Sequence, residues 1–339
     1  MGGYGASYSY DDSVDVVKKS AKDYNIANQR AYVEPKEEKA RLPPPLNKIM
    51  LTKAKLPVVI AVDVTGSMRT YPKMIFEKLC ILYNETVYFL PDKFKDAFEI
   101  SFCAVGDAYS DNYPIQVTDF ATKSDLDKNI ADLFPEGGGG GQARESYELM
   151  AYYYAYRCQM PNAGKRPRPM FFFIGDEGFY NRVNRGQIMQ YIGDPPETDL
   201  IATEVFTELK KKFDVYMLRI PYQDEGNEAE IHAQWQGALG KDRVIMLPDP
   251  RRVVDTILGL IAANVEKFDI FRRRIQIRQT PEQVQQVFST LNGLAVEDKR
   301  YVYNLQVLTC PACGGALDEV PDYDKPIKCK YCEMFVVRM

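Results

Sequence analysis

The feature that most constrains this chain is a run of apolar residues that stops abruptly on oxygen. "LPVVIAV" fills Leu56 to Val62, and "DVTGSM" follows at once. A strand that is apolar without alternation is buried on both faces, as in a parallel sheet covered by helices. "AFEISFCAVG" and "PMFFFIGDEG" repeat the pattern. Between and after them lie stretches with helical spacing: Ile75, Leu79 and Leu82; "LDKNIADLF"; "RESYELMAYYYAYR"; "LIATEVFTELKKKF"; "EAEIHAQWQGAL"; and "VVDTILGLIAANVEKF". The shorter apolar runs "DVYMLRIP" and "RVIMLPD" are expected to be strands. Such alternation predicts a doubly wound, mostly parallel α/β sheet with helices on both faces and right-handed crossovers.

Punctuation divides the chain. Residues 1–50 are polar and end in "RLPPPLNK", an extended connector. Residues 51–268 carry the α/β alternation. Residues 269–300 hold "FRRRIQIR" and "TPEQVQQVFSTL", where Thr280-Pro281-Glu282 reads as a helix start, and together they are expected to form a connector helix. Residues 301–339 form a small separate unit.

Composition narrows the function. The 43 Lys and Arg against 47 Asp and Glu give a net charge of −4, which weighs against a dedicated nucleic-acid binder. The single histidine, His232, excludes multi-His metal sites and leaves at most one place for a His-based triad. It lies three residues from Trp235, a spacing that core packing explains. No apolar run approaches the ~20 residues needed to cross a bilayer. The first residues, "MGGYGASYSYDDSVD", lack the basic and apolar regions of a secretory leader. The expected location is therefore cytoplasmic and reducing, with no membrane partner. Cys80, Cys103 and Cys158 stand singly in apolar or helical surroundings, as small buried hydrophobes do.

Ligands of open parallel sheets bind beyond the carboxyl ends of the strands, where strand order reverses. Asp63, Thr65 and Ser67 sit at such an end, and Gly66 allows the tight path that aims one carboxylate and two hydroxyls into one volume. Oxygen-only donors suit a hard divalent cation, Mg²⁺ foremost, then Mn²⁺ or Ca²⁺. Two more loops are placed to join them. One carries Asp176 and Glu177. The other holds five glycines, Gly137 to Gly141, with Gln142 at the head of the following helix. The competing structural reading is that Asp63 and Ser67 only satisfy nearby backbone N–H groups. The glycine run is no P-loop, since no Gly-Lys-Ser/Thr follows it.

These motifs, in this order, resemble a von Willebrand factor A (vWA) domain with its metal-ion-dependent adhesion site. "DVTGSM" is similar to that family's Asp-x-Ser/Thr-x-Ser, "IGDEG" to its late aspartate loop, and "GGGGGQARES" to the glycine-rich loop of its intracellular members, with Gln142 where Asp or Thr is usual. "AVGDAYSDNYPIQVTDF" resembles the intervening segment in vWA proteins linked to alpha-type kinases. The resemblance implies a divalent ion at Asp63, Thr65, Ser67 and Asp176, assisted by Gln142. It also implies an open coordination position filled by a partner's Asp or Glu, and a protein-binding adaptor rather than an enzyme. Intracellular relatives of this layout often work beside AAA+ ATPases of the MoxR kind. Two other readings stand beside it: a metal-dependent phosphohydrolase using Asp176 and Glu177, and an RNA-binding protein.

Cys310 and Cys313, then fifteen residues, then Cys329 and Cys332 have the spacing of a Cys₄ zinc site. Four thiolates close the tetrahedron, so this Zn²⁺ would be structural and would supply much of the unit's folding energy. Disulfides or a redox pair are the alternatives. The unit resembles a zinc ribbon, a module that binds nucleic acid, protein or nothing beyond its own chain. Elsewhere, tyrosines crowd the helix after the glycines, with Tyr153 a candidate interface anchor. Arg272, Arg273 and Arg274 form a candidate partner-facing stripe, with RNA contact as the minority reading.

Overall fold

The computed structural model describes residues 41–138, 141–222, 225–247 and 249–292, with 316–317, 327–331 and 335–336. Six strands form the central sheet: β1 (Leu56–Asp63), β2 (Phe98–Val105), β3 (Ile115–Val117), β4 (Met170–Gly175), β5 (Asp214–Arg219) and β6 (Val244–Met246). Their order across the sheet is β6-β5-β4-β1-β2-β3, and β3 alone runs antiparallel. The mostly parallel, doubly wound sheet expected from the apolar runs is therefore present. The short edge strand β3 carries no such run and is not legible in the sequence.

The two-residue period of a strand sorts the apolar runs onto the two faces. Val58, Ile60 and Val62 of β1, with Phe172 and Ile174 of β4, enter one core. Val59 and Ala61, with Phe171 and Phe173, enter the other. The first core is covered by α1 (Tyr71–Leu79), α2 (Leu82–Phe89), α3 (Ser124–Asp132) and α8 (Val253–Asn264). The second is covered by α4 (Tyr147–Arg157), α5 (Arg185–Tyr191), α6 (Ala202–Lys212) and α7 (Glu225–Leu239). Burial on both faces is why these strands needed apolar residues at every position.

The segment expected as a connector is two helices, α9 (Phe268–Arg278) and α10 (Pro281–Asn292). Both belong to the main unit, which ends at Ala295. Phe271, Ile275, Val287 and Leu291 extend the first core. Helix α10 starts as its sequence predicts. The Thr280 amide donates to Gln283 Oε1 at 3.0 Å, and the Gln283 amide donates to Thr280 Oγ1 at 3.4 Å, a reciprocal cap. The arginines of α9 are turned inward more than expected. Arg274 lies 3.2 Å from Glu85, Arg278 lies 3.2 Å from Asp255, and all four side chains are buried. Arg273 stays exposed and pairs with Asp269, and Arg272 lies over the ring of Phe268. The candidate stripe Arg272–Arg274 is thus corrected at Arg274, because a buried charge must find a partner and α9 supplies Arg274 to Glu85. Tyr153 is also corrected: it is fully buried in the second core and presents no surface to a partner.

The last unit, from Val296, is described only in part. Cys310, Cys313 and Cys332 lie outside the described residues. Cys329 is buried, next to a two-residue antiparallel pairing of Ile327–Lys328 with Phe335–Val336. Among the described residues no helix is long and apolar enough to cross a membrane.

Candidate functional site at the strand switch

The chain leaves β1 toward β2 and β3, then returns to lay β4 on β1's other edge. The reversal point lies between the carboxyl ends of β1 and β4, which end on Asp63 and on Gly175 followed by Asp176. Asp63 is fully buried. Its Oδ1 accepts from the Thr65 amide at 2.9 Å and from the Thr65 hydroxyl at 2.6 Å. The backbone contact is a local turn of the kind aspartate favours. The chain of oxygens continues outward: Thr65 Oγ1 lies 3.3 Å from Ser67 Oγ, which donates to Asp176 Oδ1 at 3.0 Å. Four of the five residues expected at the ion are thus strung together by hydrogen bonds.

Gly66 earns its place by close approach. Its amide donates to the Gly138 carbonyl at 2.6 Å, and a Cβ there would lie 3.0 Å from the carbonyl oxygens of Gly137 and Gly138. The Gly137 amide in turn donates to the Val64 carbonyl at 3.0 Å. The glycine loop therefore packs its backbone against the Asp63–Ser67 turn, as expected. Gln142 does not follow it in. Gln142 is exposed, and among the described residues it makes no hydrogen bond to Asp63, Thr65, Ser67 or Asp176. The physical reason is that the chain turns back just after it. Arg144–Glu145 pairs in parallel with Gly178–Phe179, which carries the next side chains, and not Gln142, toward the strand ends.

Glu145 carries no signal in the sequence, and Tyr147 stands there only as one of a run of tyrosines beside the glycines. Tyr147 donates to Asp63 Oδ2 at 2.6 Å. Glu145 is 1% exposed and lies against the Glu177 carboxyl. Glu177 also faces the hydroxyls of Ser67 and Tyr222, which favour its charged form. Two further groups hold the Asp176–Glu177 loop by its backbone. Arg219, at the end of β5, donates to the Asp176 carbonyl at 2.7 Å while its guanidinium takes both oxygens of Glu228, at 2.8 and 3.0 Å. Trp235 Nε1 donates to the Glu177 carbonyl at 2.9 Å. An isolated Tyr, Arg or Trp carries no spacing signal. Only the sheet order shows that they meet.

Four acids at one place, withdrawn from water, resist ionisation. Burial is the first cause in each case. It pushes Asp63 up to about 7 against the opposing hydrogen bonds of Thr65 and Tyr147. It pushes Asp176 up to about 8, with the charges of Asp63 and Glu177 adding to the effect. Glu145 rises to about 12 and Glu177 moves in the same direction. The nearby cation Arg219 is turned to Glu228 and to a backbone carbonyl, so it does not relieve them.

The donor set fits a hard divalent cation, all carboxylate and hydroxyl oxygen with no nitrogen or sulfur. Glu145 Oε2 is a buried acceptor with no hydrogen-bond donor, the condition a cation would remedy. Among the described residues no three His, Cys, Asp or Glu side chains close on a single point as a finished metal cage would. The oxygens here form a chain rather than a cage.

No protein-family model matches the sequence, and no curated protein matches it. Among solved structures, the chain is similar to the pilus adhesin SpaC from Lactobacillus rhamnosus GG in its open conformation. The identity is 10% over 67% of this chain and 31% of that one, with a TM-score of 0.43. It is also similar to proximal thread matrix protein 1 from the mussel byssus, at 13% identity over 65% of this chain and 48% of that one, with a TM-score of 0.40. The chain spans about a third to a half of the length of these proteins.

Proposed function

We propose that this chain is a metal-dependent protein-binding adaptor built on a vWA-type domain. In this reading Asp63, Thr65, Ser67 and Asp176 hold a divalent ion, Mg²⁺ foremost, directly or through water, and a carboxylate from a partner completes its shell. The observation that carries the reading is the unbroken run of oxygen contacts from Asp63 through Thr65 and Ser67 to Asp176 at the sheet's reversal point. When bound, the ion would supply positive charge and a coordination position. The chain's own residues do the rest. Tyr147 and Thr65 orient the Asp63 carboxylate, while Arg219 and Trp235 hold the loop that carries Asp176. Ser67 is partly open to solvent while Asp63 is closed off, so a partner's acid would approach from the Ser67 side.

The phosphohydrolase reading has less support. An aspartyl phosphatase needs a second acid two residues after the first, and Thr65 stands there, hydrogen-bonded to Asp63. The RNA reading loses Arg274 to Glu85. A Zn²⁺ ribbon at Cys310, Cys313, Cys329 and Cys332 remains part of the proposal, as does an AAA+ ATPase of the MoxR kind as partner. The test is an affinity capture from native lysate with excess Mg²⁺, comparing wild type, wild type in EDTA and Asp63→Ala. A partner held by the first alone supports the adaptor. The same partners in all three would overturn it.

A further inference from the structure

The vWA-type reading expects an ion-facing side chain from the glycine-rich loop, and Gln142 occupies that position in the sequence but is exposed. Three residues on, the chain delivers a different group. Glu145 is 1% exposed, its Oε2 has no hydrogen-bond donor, and its carboxyl lies against that of Glu177. Two carboxylates are both acceptors, so side by side they need either a shared proton or a shared cation. A buried acceptor left without a partner is unfavourable. Such a group calls for an explanation, and a bound cation is one.

Its position is fixed rather than incidental. The parallel pairing of Arg144–Glu145 with Gly178–Phe179 places Glu145 next to the loop bearing Asp176 and Glu177. Ser146 then accepts from the Ala108 amide at 2.8 Å, and Tyr147 donates to Asp63. Three consecutive residues are thus tied to three strand-end loops. Glu177 connects Glu145 to the run of oxygens, because it is the neighbour of Asp176 and faces the Ser67 hydroxyl that donates to Asp176.

We infer that Glu145, paired with Glu177, is the third-loop donor to the divalent ion in place of Gln142. This inference rests on the ion-site reading above and sharpens it. The ion would draw together carboxylates from three separate loops, which do not close on one point as they stand, with Glu145 the one whose Oε2 has no hydrogen-bond partner. Added negative charge strengthens the hold on a hard cation. Asp63 already accepts three hydrogen bonds, from Thr65 and Tyr147, which leaves it little room for the ion, so affinity should depend on Glu145 as well.

The experiment measures Mn²⁺ binding to the full chain by electron paramagnetic resonance of the free ion, at fixed pH. The variants are Asp63→Ala, Glu145→Gln, Glu177→Gln and Gln142→Ala, each checked for folding by thermal melt. Mn²⁺ is a hard ion and would discriminate against a thiolate site. Outer-shell partners of metal ligands already cost 10–100-fold when removed, so loss of a ligand should cost at least about tenfold. The expected result is binding by wild type, loss with Asp63→Ala, weakening of at least about tenfold with Glu145→Gln, and less than about twofold change with Gln142→Ala. Loss with Asp63→Ala but an unchanged affinity with Glu145→Gln overturns the role of Glu145 and leaves the ion site standing. Absence of Mn²⁺ binding by the folded wild type overturns both. Should Glu145→Gln fail to fold, Glu177→Gln carries the same test, with weakening supporting the carboxyl pair and no change overturning it.

Discussion

The hydroxyl of Tyr147 donates to Asp63 Oδ2 at 2.6 Å, across a gap that exists because residue 175 is glycine. A Cβ at Gly175 would overlap the Tyr147 hydroxyl and lie 2.8 Å from Asp63 Cβ. Tyrosine, aspartate and glycine therefore form one packed unit, drawn from α4, β1 and β4. It orients the innermost carboxylate of the site.

Tyr147→Phe should destabilise the fold by about 1–3 kcal/mol, the cost of leaving a buried acceptor short of a donor. Gly175→Ala should cost a similar amount through overpacking. The two are coupled, because removing the hydroxyl makes room for the methyl. Gly175→Ala should therefore cost less in a Tyr147→Phe background than alone. Denaturant unfolding of the four proteins in this cycle measures the coupling.

The acids at the strand ends give the fold a defined pH dependence. Asp63 is raised to about 7 and Asp176 to about 8, from ordinary values of 3.8. Between those limits the folded state binds protons that the unfolded state has released, so stability is greatest near pH 4 and falls as pH rises toward 8. Without divalent cation, the melting temperature should drop by several degrees from pH 5 to pH 8. Excess Mg²⁺ should flatten that slope, because bound cation replaces the proton. A flat profile in EDTA would show that these acids are not held as described.

Arg219 is fully buried and takes both oxygens of Glu228. Glu228→Ala would leave that charge without its partner, at a cost of about 3–5 kcal/mol. Since Arg219 also holds the Asp176 carbonyl, Arg219→Met should instead loosen the site loop. Hydrogen exchange at Gly178 and Phe179 should accelerate in that variant.

Helices α9 and α10 complete the main unit. A chain ending at residue 267 strips the buried Glu85 of both Arg274 and Arg278, together with the apolar contacts of Phe271 and Ile275. It should unfold without a cooperative transition. A chain ending at residue 295 should melt cooperatively. Circular dichroism of the two distinguishes an integral part of the core from a connector.

Much of this was legible in the sequence because strands buried on both faces leave a continuous apolar trace, and the polar residues that end them are conspicuous. Asp63, Thr65, Ser67 and Asp176 were visible for that reason. Glu145 and Tyr147 were not, since a carboxylate and a tyrosine at a helix start look like any solvated pair until β4 is laid beside β1. Gln142 misled because a motif position is counted along the chain, while the structure turns back just after it. Arg274 and Tyr153 misled in the opposite sense. A basic run looks like surface, yet α9 turns Arg274 and Arg278 inward; in the tyrosine run, α4 is buried all round from Tyr147 to Ala155, which takes Tyr153 from the surface.

The most direct test of the central claim is water-proton relaxation of Mn²⁺ bound to the full chain, titrated with acetate as a minimal carboxylate. An ion held at Asp63, Thr65, Ser67 and Asp176 with an open position should enhance relaxation through its exchangeable water. Acetate should then reduce the enhancement, and Asp63→Ala should show neither effect. Enhancement that acetate leaves unchanged, or that persists in Asp63→Ala, would contradict the account.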